Sequence, residues 1–233
     1  MQRVFVITGT SKGIGESLAL SYLENGDIVV GCSRGSSSIT HENYRHISLE
    51  VNDEKKVIKM IRSTKKEFGK IDILLNNAGI ASMNHFLTTS LSSIEKIFAT
   101  NFVGTFLFSR EVAKVMMKQK YGSIVNYTTI ASPLRLEGEA VYASSKSAVE
   151  TLTQTISKEL APFNITVNAI GPTPIKTDLI KAIPESKINA LLEKQTIKRL
   201  GEFEDVKNVI DFFTDKKSNF ITGQIIYLGG VHN

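Results

Sequence analysis

The stretch VFVITGTSKGIGESLALSYL, residues 4–23, decides how the chain folds. Residues 4–7 are a β-branched and aromatic apolar run, short enough for a strand buried on both faces. Ile14, Leu18 and Tyr22 then recur at helical spacing, so a helix is expected over 14–23. Between the two lies Thr8-Gly9-Thr10-Ser11-Lys12-Gly13-Ile14-Gly15. A glycine-rich turn from strand to helix lets backbone approach a phosphate closely and aims the unpaired N–H groups of the helix start at it. The spacing is G-x-x-x-G-x-G, not the G-x-G-x-x-G of the usual dinucleotide turn. Alone, then, the turn admits a structural reading beside a nucleotide-binding one. Gly9, Ser11, Lys12, Gly13, Ile14 and Gly15 are its candidate phosphate contacts.

The same alternation continues outward. Strands are expected at 28–32, 47–51, 71–75, 123–127 and 165–170, and helices at 57–68, 94–117 and 141–160, the last stopped by Pro162. Continuous apolar strands separated by helices mark a parallel sheet covered on both faces. No internal repeat or linker interrupts the pattern. Residues 1–233 are therefore read as one α/β domain, a Rossmann-like doubly wound parallel sheet of about seven strands. Ser33-Arg34-Gly35-Ser36-Ser37-Ser38 and the polar residues after it are too few for a crossover helix, so a loop is expected there. Residues 177–201 carry Ile180, Ile183, Ile188, Leu191 and Leu192 at helix-like spacing, interrupted by charges and Pro184. This reads as a short helical insertion over the sheet, where a mobile substrate lid is expected.

Composition excludes several classes of function. The chain is 42% hydrophobic and 22% charged, remote from disorder. Its 28 basic and 23 acidic residues leave a charge of only +5, and no basic arm or aromatic interleaving points to nucleic acid. The lone Cys32 rules out an intrachain disulfide and a Cys-rich zinc site, and His41, His46, His85 and His232 lack metal-ligand spacing. No metal is expected. No uncharged apolar run approaches membrane-spanning length, and the start is too short for a secretory signal. A cytoplasmic protein with no membrane partner is the expectation.

A dinucleotide on the glycine turn meets the end of the second strand, where a carboxylate selects NAD and a cation suits NADP. Ser33 and Arg34 stand there, with Lys12 in the turn and no carboxylate nearby. A guanidinium grips phosphate in bidentate fashion. NADPH/NADP is thus favoured over NAD, although solvated surface cations are the plainer alternative. Further on, Tyr142 and Lys146 in Tyr142-Ala143-Ser144-Ser145-Lys146 form an i,i+4 pair. A neighbouring ammonium is expected to draw the phenol down from its usual value of about 10 toward neutrality. Such a tyrosine can protonate the oxygen of a carbonyl that receives a hydride. In isolation, Y-x-x-x-K also arises by chance on helices.

With this pair in view, the chain resembles the short-chain dehydrogenase/reductase family, of the Y-x-x-x-K type and among members similar to 3-oxoacyl-[acyl-carrier-protein] reductases. The resemblance runs in order through residues 8–15, Asn76-Asn77-Ala78-Gly79, Asn101, Tyr142 with Lys146, residues 168–177 and Ile221-Thr222-Gly223. It implies an oxidoreductase that moves a hydride between NADPH and a small ketone or secondary alcohol. A 3-oxoacyl thioester and a sugar-type substrate are both candidates. Tyr142 would be the general acid/base, Lys146 its partner and a ribose ligand, and Asn101 the holder of a relay water. Asn77, Ala78 and Gly79 would lie beneath the cofactor, Glu50 and Val51 around its adenine, with Glu where the family has Asp. Pro172, Ile175 and Thr177 would meet the nicotinamide end.

Three departures accompany these matches. The family's substrate-binding serine falls at Thr129, which keeps the hydroxyl but adds a crowding methyl. The family's Pro-Gly becomes Pro172-Thr173, with Pro174 stiffening the loop. The third is the missing crossover helix, which leaves the adenosine edge less enclosed. Thr129 and Thr173 motivate a distinct reading, a non-catalytic dinucleotide sensor or scaffold; the intact Asn101, Tyr142 and Lys146 argue against it. The resemblance also implies a homo-oligomer, tetramer or dimer, joined through helices around 101–117 and 143–160. Lys114, Lys118 and Lys120 are read as complementing a helix C-terminus, with docking of an acidic carrier protein the bolder idea.

Overall fold

Phe5 and Ile7 point to one side of the sheet and Val6 to the other, the alternation of an extended chain. The computed structural model describes residues 2–175 and 185–232. Its strands are β1 (Val4–Thr8), β2 (Ile28–Ser33), β3 (Tyr44–Ser48), β4 (Ile73–Asn76), β5 (Gly122–Tyr127), β6 (Ile165–Gly171) and β7 (Ile225–Tyr227). They form one sheet in the order β3-β2-β1-β4-β5-β6-β7, and each pairing is parallel. The helices are α1 (Gly13–Glu24), α2 (Glu54–Phe68), α3 (Leu91–Phe98), α4 (Gly104–Gln119), α5 (Ala131–Leu134), α6 (Ala140–Leu160), α7 (Glu185–Glu193) and α8 (Phe203–Thr214).

Both faces are covered. On one, Leu18 and Tyr22 of α1 and Val206, Ile210 and Phe213 of α8 pack with Phe5, Ile7 and Val125. On the other, Val57 and Met60 of α2 and Phe108, Val112 and Met116 of α4 pack with Val6, Leu74 and Ile124. This is the expected Rossmann-like domain. From β1 the chain builds outward to β3, then returns to place β4 on the opposite flank of β1. Connections diverge at that point and leave a crevice at the carboxyl ends of the strands.

Two expected elements are corrected. The third strand occupies Tyr44–Ser48, not 47–51, because its ladder to β2 begins at Val29↔Tyr44. Leu49 and Val51 are buried beyond its end. The single helix expected over 94–117 starts at Leu91, where Ser90 caps it by accepting from the Ser93 N–H. It is also interrupted: α3 and α4 are joined by a π-helical turn, Ala99–Val103. The backbone stays right-handed throughout, so the rod is widened rather than broken. No helix intervenes between β2 and β3, as expected. Of the insertion at 177–201, α7 is observed; Thr177 lies outside the described residues.

Candidate active site

The crevice widens into a cleft of about 1080 Å³. Its inner end is the glycine turn. Asn77 Nδ2 donates to the carbonyls of Thr8 (2.9 Å) and Gly9 (3.3 Å), while the Ala78 N–H donates to Thr8 Oγ1 at 2.9 Å. These bonds clamp the ends of β1 and β4 together. A Cβ on Gly15 would lie 2.3 Å from the Gly9 carbonyl oxygen and 2.4 Å from Asn77 Nδ2, so only glycine fits. Lys12 precedes α1 with extended backbone and no side-chain cap, so no N-cap side chain occupies the first N–H groups of the helix. Gly9, Ser11, Lys12, Gly13 and Ile14 line the cleft; Gly15 stands behind as a spacer.

Ser33, Arg34, Glu50, Val51, Asn77, Ala78 and Gly79 line the same cleft, as do Pro172 and Ile175 on the far side. The expected cofactor contacts are therefore brought together, with Thr177 outside the described residues. The cradle suits a dinucleotide. Its turn brings bare backbone and a helix start to the cavity wall, which Lys12 and Arg34 also line. Among the described residues no group of three or more His, Cys, Asp or Glu side chains could hold a metal ion, and no helix is long and apolar enough to cross a membrane.

Thr129, Tyr142 and Lys146 also face this cavity. Lys146 is 4% exposed and donates from Nζ to the Tyr127 carbonyl at 2.7 Å. Asn101 is fully buried in the π-helical turn and does not line the cleft. Its Nδ2 donates to the Ile80 carbonyl and to Ser145 Oγ, each at 3.0 Å, and its Oδ1 accepts from the Ile80 N–H at 2.9 Å. Ser145 Oγ in turn donates to the Tyr142 carbonyl at 2.7 Å. A widened helical turn thus braces the first turn of α6, from which Tyr142 projects.

The electrostatics correct one expectation. Burial pushes the Tyr142 phenol up to about 12; a hydrogen bond with Thr129 pulls the other way, and the nearby Glu139 carboxylate adds to the rise. Lys146 does not bring it down. Burial drives the Lys146 ammonium down to about 8, partly opposed by Glu150 one turn along α6. Low-dielectric surroundings penalise both charged forms more than the two groups assist each other. The sequence reading missed Glu139, Ser145, and the Thr128–Glu150 hydrogen bond beside Lys146. Only Ser145 was signalled, by its place inside the Tyr142–Lys146 motif.

A stability prediction follows from Lys146. Its value falls from 10.5 unfolded to about 8 folded, so the unfolded chain binds more protons between those values. Stability therefore rises with pH across that window, and the buried ammonium is destabilising below it. Lys146→Met is expected to melt a few degrees higher than the parent at neutral pH, ~3 °C, while losing turnover. The gain shrinks from about pH 8 upward and is gone above about pH 11, where the parent lysine is neutral in both states. Thermal unfolding at both pH values checks it, and a lower melting point for the variant at neutral pH refutes the assignment.

Arg135, on the loop between Thr129 and Tyr142, is exposed and donates to the Pro133 carbonyl at 3.2 Å. Lys114 pairs with Glu111 at 2.7 Å, while Lys118 and Lys120 stand at the end of α4.

Comparison with known proteins agrees with this geometry. A family model described as "Enoyl-(Acyl carrier protein) reductase" matches residues 9–232. The 3-oxoacyl-[acyl-carrier-protein] reductase FabG of Staphylococcus epidermidis is 33% identical over 240 residues, covering 99% of this chain and 98% of that protein. A 3alpha-hydroxysteroid dehydrogenase of Mediterraneibacter gnavus is 31% identical over 239 residues, covering 98% and 96%. Among solved structures, ElxO with NADP bound superposes with a TM-score of 0.91 at 32% identity, covering 99% of this chain and 98% of that one.

Proposed function

The chain belongs to the short-chain dehydrogenase/reductase family, and from that premise we propose that its cleft works as a carbonyl reductase on a small ketone. It is an NADPH-dependent oxidoreductase acting on a carbonyl or an alcohol. The hydride comes from the dihydronicotinamide of NADPH. The glycine turn and the start of α1 hold the pyrophosphate, and Lys12, Ser33 and Arg34 receive the 2′-phosphate. Glu50 and Val51 flank the adenine, Asn77, Ala78 and Gly79 form the floor, and Pro172, Ile175 and Thr177 meet the nicotinamide end. Thr129 and Tyr142 bind the carbonyl oxygen, and Tyr142 gives it a proton. Lys146 binds the ribose, and Asn101 Oδ1 keeps a lone pair for a relay water. Residues around 177–201 act as the substrate lid.

The observation that supports this reading most directly is that Thr129, Tyr142 and Lys146 face the same cleft as the glycine turn. With its phenol pushed up to about 12, Tyr142 remains protonated at neutral pH and is ready to donate. The reverse reaction needs the phenolate. Carbonyl reduction is therefore expected to be flat near neutrality, while alcohol oxidation climbs by up to about tenfold per pH unit, with no plateau through about pH 10. Nicotinamide absorbance, followed in both directions with ketones, sugars and 3-oxoacyl thioesters, tests this. Tight NADPH binding without turnover on any of them refutes the enzyme and favours the sensor.

The names of the 3-oxoacyl and hydroxysteroid relatives support a ketone on an apolar chain or ring, and Met83, Leu136, Ile188 and Leu191 in the cleft wall suit one. We also read the protein as a cytoplasmic homo-oligomer, tetramer or dimer. The exposed Phe86, Leu87, Leu91, Val103 and Phe106 on and around α3 and α4 support that assembly.

A further inference from the structure

Where a crossover helix is missing between β2 and β3, one face of β3 has taken over the loop that such a helix would support. Tyr44, His46 and Ser48 alternate along β3 and lie on that one face, opposite Val29, Gly31 and Ser33 of β2. Ser48 Oγ donates to the Arg34 carbonyl at 2.8 Å. His46 Nε2 lies 2.9 Å from the Gly35 carbonyl oxygen and 3.2 Å from Ser33 Oγ. A carbonyl only accepts, so Nε2 carries the proton. Ser33 Oγ donates to the same Gly35 carbonyl at 2.9 Å. On the other edge of the ring, Nδ1 lies 3.1 Å from Tyr44 Oη, which is 2.9 Å from Thr10 Oγ1 in the glycine turn. A Cβ on Gly31 would fall 2.3 Å from Thr10 Oγ1 and 2.6 Å from Tyr44 Oη, so the missing side chain opens the passage for this link.

We propose that His46 is a positioning residue for coenzyme choice, holding Ser33 and the Arg34-Gly35 turn in the shape that receives the 2′-phosphate of NADPH. It rests on the reading of Arg34 and Ser33 as phosphate contacts. His46 does not line the cleft; it acts through the Gly35 carbonyl and Ser33 from behind. A bidentate guanidinium gains affinity only where its backbone is fixed beforehand, since ordering a loop on binding costs entropy. NADH has no 2′-phosphate, so losing this brace harms one coenzyme and spares the other.

Dissociation constants for NADPH and NADH, measured by nicotinamide fluorescence, test the proposal. His46→Leu is expected to weaken NADPH about tenfold and NADH by less than about twofold. His46→Gln keeps an N–H donor near the Nε2 position and is expected to stay within about threefold of the parent for both. Should His46→Leu fail to fold, His46→Ser, polar but too short to reach the Gly35 carbonyl, is expected to show the same selective loss. Equal weakening of both coenzymes, or no weakening, overturns the proposal. Arg34→Ala separates the two levels of the argument. If it leaves NADPH binding intact, the phosphate-site reading itself is wrong; if it weakens NADPH while His46→Leu does not, only the role of His46 is lost.

Discussion

Tyr142→Phe is expected to lower kcat for carbonyl reduction by about 10³-fold while leaving NADPH affinity within about threefold. The two side chains have nearly the same shape, so the ring still fills its place in the cleft wall. What disappears is the hydroxyl that binds the substrate oxygen and protonates it. Thr129 can still donate one hydrogen bond to that oxygen, but an aliphatic hydroxyl is a far weaker acid than a phenol. The variant also removes the group that makes oxidation pH-dependent, so its residual activity should lose the alkaline rise predicted for the parent. Single-turnover rates with saturating NADPH separate the chemical step from binding. Residual turnover within tenfold of the parent rules out Tyr142 as the proton donor.

Gly15→Ala has the next largest expected effect, and it acts on architecture before chemistry. The added methyl would stand 2.3 Å from the Gly9 carbonyl oxygen and 2.4 Å from Asn77 Nδ2. Both neighbours belong to the clamp between β1 and β4, so neither can move without opening it. A stability loss of about 2–4 kcal/mol is expected, with NADPH weakened by more than about 100-fold because the pyrophosphate turn is displaced. Gly13 provides the contrast. A Cβ there meets nothing within 4 Å, and its φ of +65° brings only local backbone strain, about 1 kcal/mol for an alanine. Equal losses at the two positions in denaturant unfolding would show that conformational strain, not contact, governs the turn.

The fold was legible because its signals are local. Each buried strand is an apolar run, each helix a 3.6-residue pattern, and the short β2–β3 connection could be counted. What escaped depends on partners distant in the chain. Tyr44 reads as a polar aromatic outside a strand until β2 pairs with it and Thr10 receives its hydroxyl. The π-helical turn shifts the apolar phase by one residue, but Ile97, Phe98, Phe102, Val103, Phe106, Leu107 and Phe108 crowd both sides of it and mask the shift. The candidate site was legible as a set of residue types in order, and most of them do line one cleft. The direction of the Tyr142 shift was not legible, because an i,i+4 cation is visible in sequence whereas the burial of both groups is a property of the folded cleft.

The π-helical turn at Ala99–Val103 also limits how this part of the chain can change in length. Removing one residue there would regularise the helix but rotate everything beyond it by about 100° relative to what precedes it. If the downstream half kept its seat, with Phe108, Val112 and Met116 in the core, Asn101 would swing away from Ile80 and Ser145. If Asn101 stayed, those three side chains would be turned out of the interior. Substitution at this point is open to the protein; deletion is not, because two rigid halves of a single rod are indexed to each other by the extra residue between them.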